Sequence, residues 1–334
     1  MGDLHVLFAQ ELRHQLVACG IRVHCRHALV AGYERGENHE GQRERAHDDA
    51  APPGALEDIL LAAARAAIPA VGVVVGGGLI GVELAEMLHT RGIEPLVLVR
   101  DARYWSNVLP PEEANLVDRQ FQENRISVRY GTELREILGD AQGRVRAVRT
   151  TAGEEIACQW VGLATGVTPN LVLAKTCPIE TDRGILVDAH LRTSVPNVYA
   201  AGDCAQHRHP AAGEIPIEQL WYTGRMQGET VAYTLCGQPT PYRRGIWFNS
   251  AKFFNLEYQT YGQAPAESVP DLASFYWEHP TSRTALRIYF RVAAPHAVVG
   301  FTALGLRLRQ AVCEQWIRTQ APIVTVVTHL GAAN

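Results

Sequence analysis

"AVGVVVGGGLIGVELAEMLHTRGIEPLVLVR", residues 70–100, is the stretch on which the fold turns. A continuous apolar run leads into Gly76-Gly77-Gly78, a helical segment follows, and a second continuous apolar run ends near Val99. Strands that are apolar on both faces and joined by a helix indicate a parallel sheet covered on both sides. The chain is therefore read as α/β. Gly76-Gly77-Gly78-Leu79-Ile80-Gly81 is a G-x-G-x-x-G in the strand–turn–helix setting that this motif needs. Gly76 allows the tight turn, Gly78 lets backbone approach a pyrophosphate, and Gly81 lets helix and strand pack closely. Gly77 and Ile80 complete the loop, and the helix N-terminus then faces the phosphates.

The second strand of such a unit normally ends in an acid that bonds the adenosine ribose hydroxyls. Here Val99 stands at that place, followed by Arg100 and Asp101. An arginine beside the strand end has two readings: it accommodates a 2′-phosphate, which admits NADPH, or it is a solvated strand-end charge.

Working outward, "PPEEANLVDRQFQEN" (110–124) predicts a helix with Pro111 in its first turn and acids at its positive end. Residues 126–166 alternate and turn at Gly131, "GDAQG" and "TTAG", which predicts short strands with an antiparallel meander closing the first sheet. Residues 184–203 read as strand ending at Asp203, and 217–237 as a helix stopped by Gly237. From about 239 onward "SFYWEH", "ALRIYFRV" and "AVVGFTAL" predict three antiparallel strands, followed by a helix over 308–318. Leu286, Ile288 and Phe290 would share one face of the middle strand, with Arg287, Tyr289 and Arg291 on the other. Upstream, 4–31 is strand or helix with poor periodicity, 32–54 is a linker poor in apolar residues, and 55–67 is helical by composition.

Composition narrows the class of protein. With 334 residues, 47% of them hydrophobic and 20% charged, the chain suits about two globular domains. A net charge of −4 gives no nucleic-acid signature. No apolar run approaches the ~20 residues of a membrane span, and the first residues are too polar for a secretory signal, which predicts a cytoplasmic protein. Seven cysteines form no C-x-x-C and no metal-ligand spacing, so no metal is expected, and Cys204 is read as packing.

Two further motifs remain. "LATGVTPN" (163–170) is a strand followed by a small-residue turn. "TSVPNVYAAGDC" (193–204) runs through Val195, Val198, Tyr199, Ala200 and Ala201 into a turn that presents Asp203. Thr193 followed by Val198-Tyr199-Ala200-Ala201-Gly202-Asp203 resembles the flavin-binding signature of the pyridine-nucleotide:disulfide oxidoreductases, flavoproteins with two dinucleotide-binding domains. Ala164-Thr165-Gly166 is similar to that family's "ATG" turn, and Gly76 through Glu83 to its nicotinamide motif G-x-G-x-x-G-x-E. The resemblance covers about 55–320, and its C-terminal part looks most like NAD(P)H:acceptor reductases related to rubredoxin and nitrite reductases.

The resemblance implies Rossmann-like FAD- and NAD(P)-binding domains with a C-terminal α+β interface domain. It divides the chain into 1–54 (an incomplete flavin domain and linker), 55–160 (NAD(P)), 161–238 (second part of the FAD domain) and 239–334 (interface, implying a homodimer). It places NAD(P)H at Gly76–Gly81 and FAD at Thr165, Gly166, Gly202 and Asp203, whose carboxylate would bond a ribityl hydroxyl. Glu83 would face the nicotinamide ring region as a catalytic residue, with a plain helix-terminal charge as the other reading. The helix from about Ile217 would aim its positive end at the flavin pyrimidine ring.

Two departures stand out. No strand–G-x-G-x-x-G–helix for the flavin's ADP half occurs in 1–54, and Cys19 and Cys25 do not have the redox spacing of the family's disulfide reductases. The expectation is an FAD-dependent NAD(P)H oxidoreductase that passes electrons to an acceptor, a small redox protein or a small molecule, without a dithiol. A nucleotide-binding remnant with no turnover is the second reading.

Overall fold

The computed structural model describes residues 71–211 and 213–333. The expectations for the helix at 55–67, for the segments upstream of it, and for Cys19 and Cys25 lie outside the described residues.

The 70–100 stretch folds as its pattern requires. Strand β1 (Val71–Val75) leads through the glycines into helix α1 (Leu79–Thr90) and back into β2 (Glu94–Leu98). Helix α2 (Pro111–Glu123) and strand β3 (Ser127–Arg129) follow, then β4 (Leu134–Gly139), β5 (Val145–Thr150), β6 (Glu155–Ala157) and β7 (Trp160–Leu163). The first sheet has the order β3-β2-β1-β7, with all pairs parallel.

The meander does not close this sheet, contrary to the sequence-based expectation. Strands β4, β5 and β6 form a separate antiparallel sheet, and it is β7, after the meander, that returns to pair with β1. Burial explains the arrangement. Val73, Val75, Leu96 and Leu98 pack on Val148 and Cys158 on the meander side, while Val74 and Val97 pack on α1 and α2 through Val82, Ala85, Leu88 and Val117. A strand apolar on both faces thus has a cover on each, as the unbroken runs demand.

The segment expected to be strand up to Asp203 is strand only over β8 (Ile185–Val187), and Asp203 sits in a turn ahead of β9 (Ala205–His207), which pairs parallel with β8. The two strands are separated by a loop in which Asp188 accepts from the backbone N–H groups of His190 and Arg192, a side-chain alternative to ladder bonding. Helix α3 (Trp221–Leu235) begins four residues later than expected, because Ile217 is held in an isolated bridge to Gln206. Gly237, at φ 80°, follows its end as expected.

The C-terminal part holds five strands, not three: β10 (Phe248–Phe253), β11 (Leu256–Gly262), β12 (Leu272–Glu278), β13 (Ala285–Arg291) and β14 (Val298–Leu304), in the order β10-β11-β14-β13-β12. Helices α4 (Gln310–Arg318) and α5 (Ile323–Thr328) cover one face through Cys313, Ile323 and Val326 against Leu286, Ile288 and Phe290. The opposite face is buried as well. Phe253, Tyr258, Ala285 and Leu304 join the core of α1 and α2, so the C-terminal sheet lies against the helical layer of the first sheet.

Arg287, which alternation places on that second face, is paired there. Its Nε and Nη2 donate to Glu113 of α2 at 2.7 and 2.9 Å, and Nη2 also donates to Glu112 at 2.9 Å. The guanidinium lies 4.6 Å from the centroid of the Tyr276 ring.

Candidate functional site: a glycine turn and an aspartate turn

Each glycine of the first motif does something different. Gly76 has φ 136°, and a Cβ there would come within 2.1 Å of the Ala164 carbonyl oxygen. Gly81 lies under the turn, where a Cβ would stand 2.2 Å from the Gly76 carbonyl, and a Cβ on Gly77 would press Val99 at 2.7 Å. Gly78 differs from all three. Its backbone is extended, at φ −117° and ψ −170°, and a Cβ would meet nothing within 4 Å. The protein itself therefore tolerates a side chain at Gly78, and the room it would fill lies at the N-terminus of α1. That terminus has no side-chain cap and no acid in its first turn, so its N–H groups are left for an anion.

Tyr104, fully buried, donates from its hydroxyl to the Gly78 carbonyl at 2.8 Å and fixes the turn from below. Burial raises its phenol far above the usual range, with the Glu83 charge adding to the effect, so it stays a donor. Sequence reasoning missed Tyr104; nothing in its local pattern marks it.

The other residues of this region follow from the same geometry. Ile80 is 49% exposed, with its side chain on the open side of α1, and Glu83 is exposed one turn further along. The close approach of Ala164 to Gly76 brings the Ala164-Thr165-Gly166 turn against the glycine motif, with Thr165 and Gly166 exposed and Gly166 at φ 111°. Arg100 is exposed beyond β2, and two acids stand beside it. Its Nε lies 3.4 Å from Asp101 and 4.0 Å from Glu133, and Ser106 donates to Asp101 at 3.0 Å. The acid nearest the strand end is thus Asp101, two residues beyond Val99, and it stands beside Arg100.

Gly202 and Asp203 form a second centre. Gly202 is left-handed, at φ 78°, and Asp203 is exposed in the turn with no hydrogen bond or ion pair to the described residues. The turn lies against α3: the Gly202 Cα is 3.6 Å from where a Cβ on Gly224 would be, and the Gly202 N–H donates to Gln227 Oε1 at 2.7 Å. The positive end of α3, at Leu220 and Trp221, also lacks a side-chain cap. An exposed carboxylate and an uncapped helix terminus suit a ligand with hydroxyl donors and a region of negative charge.

Comparison with known proteins finds relatives over much of the chain. The model of the pyridine nucleotide-disulphide oxidoreductase family matches residues 9–228, which is more than half of the chain. The chain belongs to that family. Rubredoxin-NAD(+) reductase of Ectopseudomonas oleovorans is 32% identical over 169 residues, 51% of this chain and 44% of that protein. Rhodocoxin reductase of Rhodococcus erythropolis is 32% identical over 182 residues, 54% of this chain and 42% of its own length. The chain spans less than half the length of these relatives. Among solved structures, the ferredoxin reductase for the CYP199A2 system of Rhodopseudomonas palustris superposes with TM-score 0.61 at 25% identity, over 70% of this chain and 56% of that one. An FAD-dependent oxidoreductase of this family from Desulfovibrio vulgaris does so with TM-score 0.67 at 22% identity, covering 83% and 73%, and shares the fold. Among the described residues, no helix is long and apolar enough to cross a membrane.

Proposed function

We propose that the chain is the nicotinamide- and flavin-binding part of an NAD(P)H:acceptor oxidoreductase. The observation that carries this reading is the open space at Gly78 on an uncapped helix terminus, walled by glycines whose own side chains would clash. The pyrophosphate of NAD(P)H fits that space, with the α1 amides and the Gly78 backbone as donors. FAD is held, on this reading, by Thr165, Gly166, Gly202 and Asp203. The Asp203 carboxylate accepts from the ribityl chain, and the N-terminus of α3 opposes the charge of the pyrimidine ring. When bound, the flavin would supply two-electron redox chemistry between the nicotinamide and an acceptor.

The protein's part is to orient and to set charge. Glu83, exposed beyond the glycine turn, is assigned to the nicotinamide ring region. Arg100 attracts a 2′-phosphate, while Asp101 and Glu133 beside it repel one and offer acceptors to ribose hydroxyls. Relatives named for rubredoxin and rhodocoxin support a small redox protein as acceptor. The five-stranded sheet supports a C-terminal unit at 239–334, serving as a homodimer interface, while β7 (Trp160–Leu163) pairs with β1 and carries the first sheet a few residues past the 55–160 boundary into 161–238.

The test is NADH and NADPH oxidation by the full chain with added FAD and ferricyanide, in wild type and in Asp203→Asn. The expected result is turnover in wild type and loss of flavin binding in the variant, with NAD(P)H binding retained. Equal flavin affinity in both proteins would remove Asp203 from the site.

A further inference from the structure

A buried polar chain runs from the Asp203 turn to the start of the C-terminal unit. It begins at the Gly202 N–H, which donates to Gln227 Oε1 at 2.7 Å. The Gln227 Nε2 donates in turn to Glu218 at 3.3 Å. Gln227 and Glu218 are 0% and 1% exposed. The Glu218 carboxylate also accepts from the Tyr242 hydroxyl at 2.6 Å and lies 3.4 Å from Arg244 Nη1. Arg244 is held by Glu214 at 3.6 Å and lies 5.0 Å from the Trp247 ring. His207 of β9 stacks on Tyr242 at 5.2 Å, and the Thr223 hydroxyl donates to the Glu218 carbonyl at 3.2 Å.

A carboxylate this deep is costly unless donors surround it, and here three side chains supply them. At one end this network ties the Gly202 N–H to the Gln227 side chain, while at the other the buried Arg244 Nε and His207 Nε2 have no hydrogen-bond partner among the described residues. Gly202 is left-handed, and the place of Asp203 in the turn follows from that backbone. A backbone N–H bound to a buried, doubly anchored amide has one orientation, which fixes the turn from which the Asp203 side chain projects.

Resting on the flavin reading of Asp203, we propose that Gln227 and Glu218 are positioning residues of the flavin site. Gln227 is the two-ended clamp: its carbonyl fixes the Gly202 N–H, and its amide is fixed by Glu218. Glu218 is the anchor, and through Tyr242 and Arg244 it fastens the turn to residues 242–247. Neither residue touches the ligand.

The test titrates FAD into the full-length chain and follows exchange of the Gly202 amide. Gln227→Leu keeps the volume and removes both hydrogen bonds. It is expected to weaken FAD binding about tenfold or more and to expose the Gly202 amide to exchange, with secondary structure unchanged. Gln227→Glu keeps an acceptor for Gly202 but sets two carboxylates face to face. Only when that pair holds a proton does it reproduce the donor to Glu218. Its FAD affinity, relative to wild type, is therefore expected to recover as pH falls from about 8 to about 5.5, while Gln227→Leu stays weak throughout. A variant that merely loosened packing would show no such recovery. Wild-type FAD affinity in Gln227→Leu, an unchanged Gly202 exchange rate, or no pH-dependent recovery in Gln227→Glu would overturn the proposal. If wild type itself takes up no FAD, or Asp203→Asn binds it equally well, the flavin reading fails and the proposal falls with it. If wild type binds, Asp203→Asn does not, and Gln227→Leu still does, the clamp alone is wrong.

Discussion

Gly78 is the glycine of the motif that the protein's own packing does not require. Its φ and ψ are open to any residue, and a Cβ would touch nothing. Gly78→Val should therefore fold with an unchanged melting temperature and lose NAD(P)H binding, since the side chain would stand where the pyrophosphate approaches. Unchanged affinity in isothermal titration would refute the placement. His207 carries a second prediction at this scale. Burial lowers its pKa from the ordinary 6.5, against the raising effect of Glu218 and Glu214, so the folded state resists the proton that the unfolded state accepts. Stability should then fall as pH is lowered through the ordinary histidine range, and His207→Gln should flatten that part of the curve. Urea midpoints at about pH 8 and about pH 5.5 would measure it, and a slope equal to wild type would exclude His207 as its source.

At the scale of elements, the glycine turn depends on how closely α1 crosses the end of β1. The Gly81 position stands so near the Gly76 carbonyl that even a methyl would be 2.2 Å away. Gly81→Ala must push helix and strand apart, which costs about 1–3 kcal/mol as overpacking does. Unlike Gly78→Val, it should lower the melting temperature as well as NAD(P)H affinity, and a variant as stable as wild type would contradict this account. The elements around the turn were legible because their signals are local: unbroken apolar runs, helical spacing and small residues between them. The start of α3 was not, because Ile217 is drawn into a bridge with Gln206, a partner the local spacing does not reveal.

Across the whole molecule, the contact that joins the first sheet's helices to the C-terminal sheet contains the buried Arg287–Glu113 pair. Burial alone would lower the Arg287 pKa, but hydrogen bonds and charge from Glu113 outweigh it and keep the guanidinium protonated. Glu113→Ala leaves that charge buried with the half-exposed Glu112 as its remaining carboxylate partner, and should destabilise the protein by about 3 kcal/mol or more. Glu113→Leu combined with Arg287→Met should recover most of the loss, because the pair's desolvation offsets much of its attraction. Denaturant unfolding of wild type, Glu113→Ala and the double variant decides this, and a double variant no more stable than Glu113→Ala would refute it. Taken by itself, the sequence determined the α/β class, the glycine turn between β1 and α1, and the aspartate turn at Gly202–Asp203, because each is written within a few dozen consecutive residues. The tertiary structure decided the separation of the meander from the parallel sheet, the strands β10 and β11, the pairing of Arg287, and the chain from Gly202 through Gln227 to Glu218 and Tyr242. Those depend on residues far apart in sequence that meet only when burial of both faces of each sheet selects one arrangement.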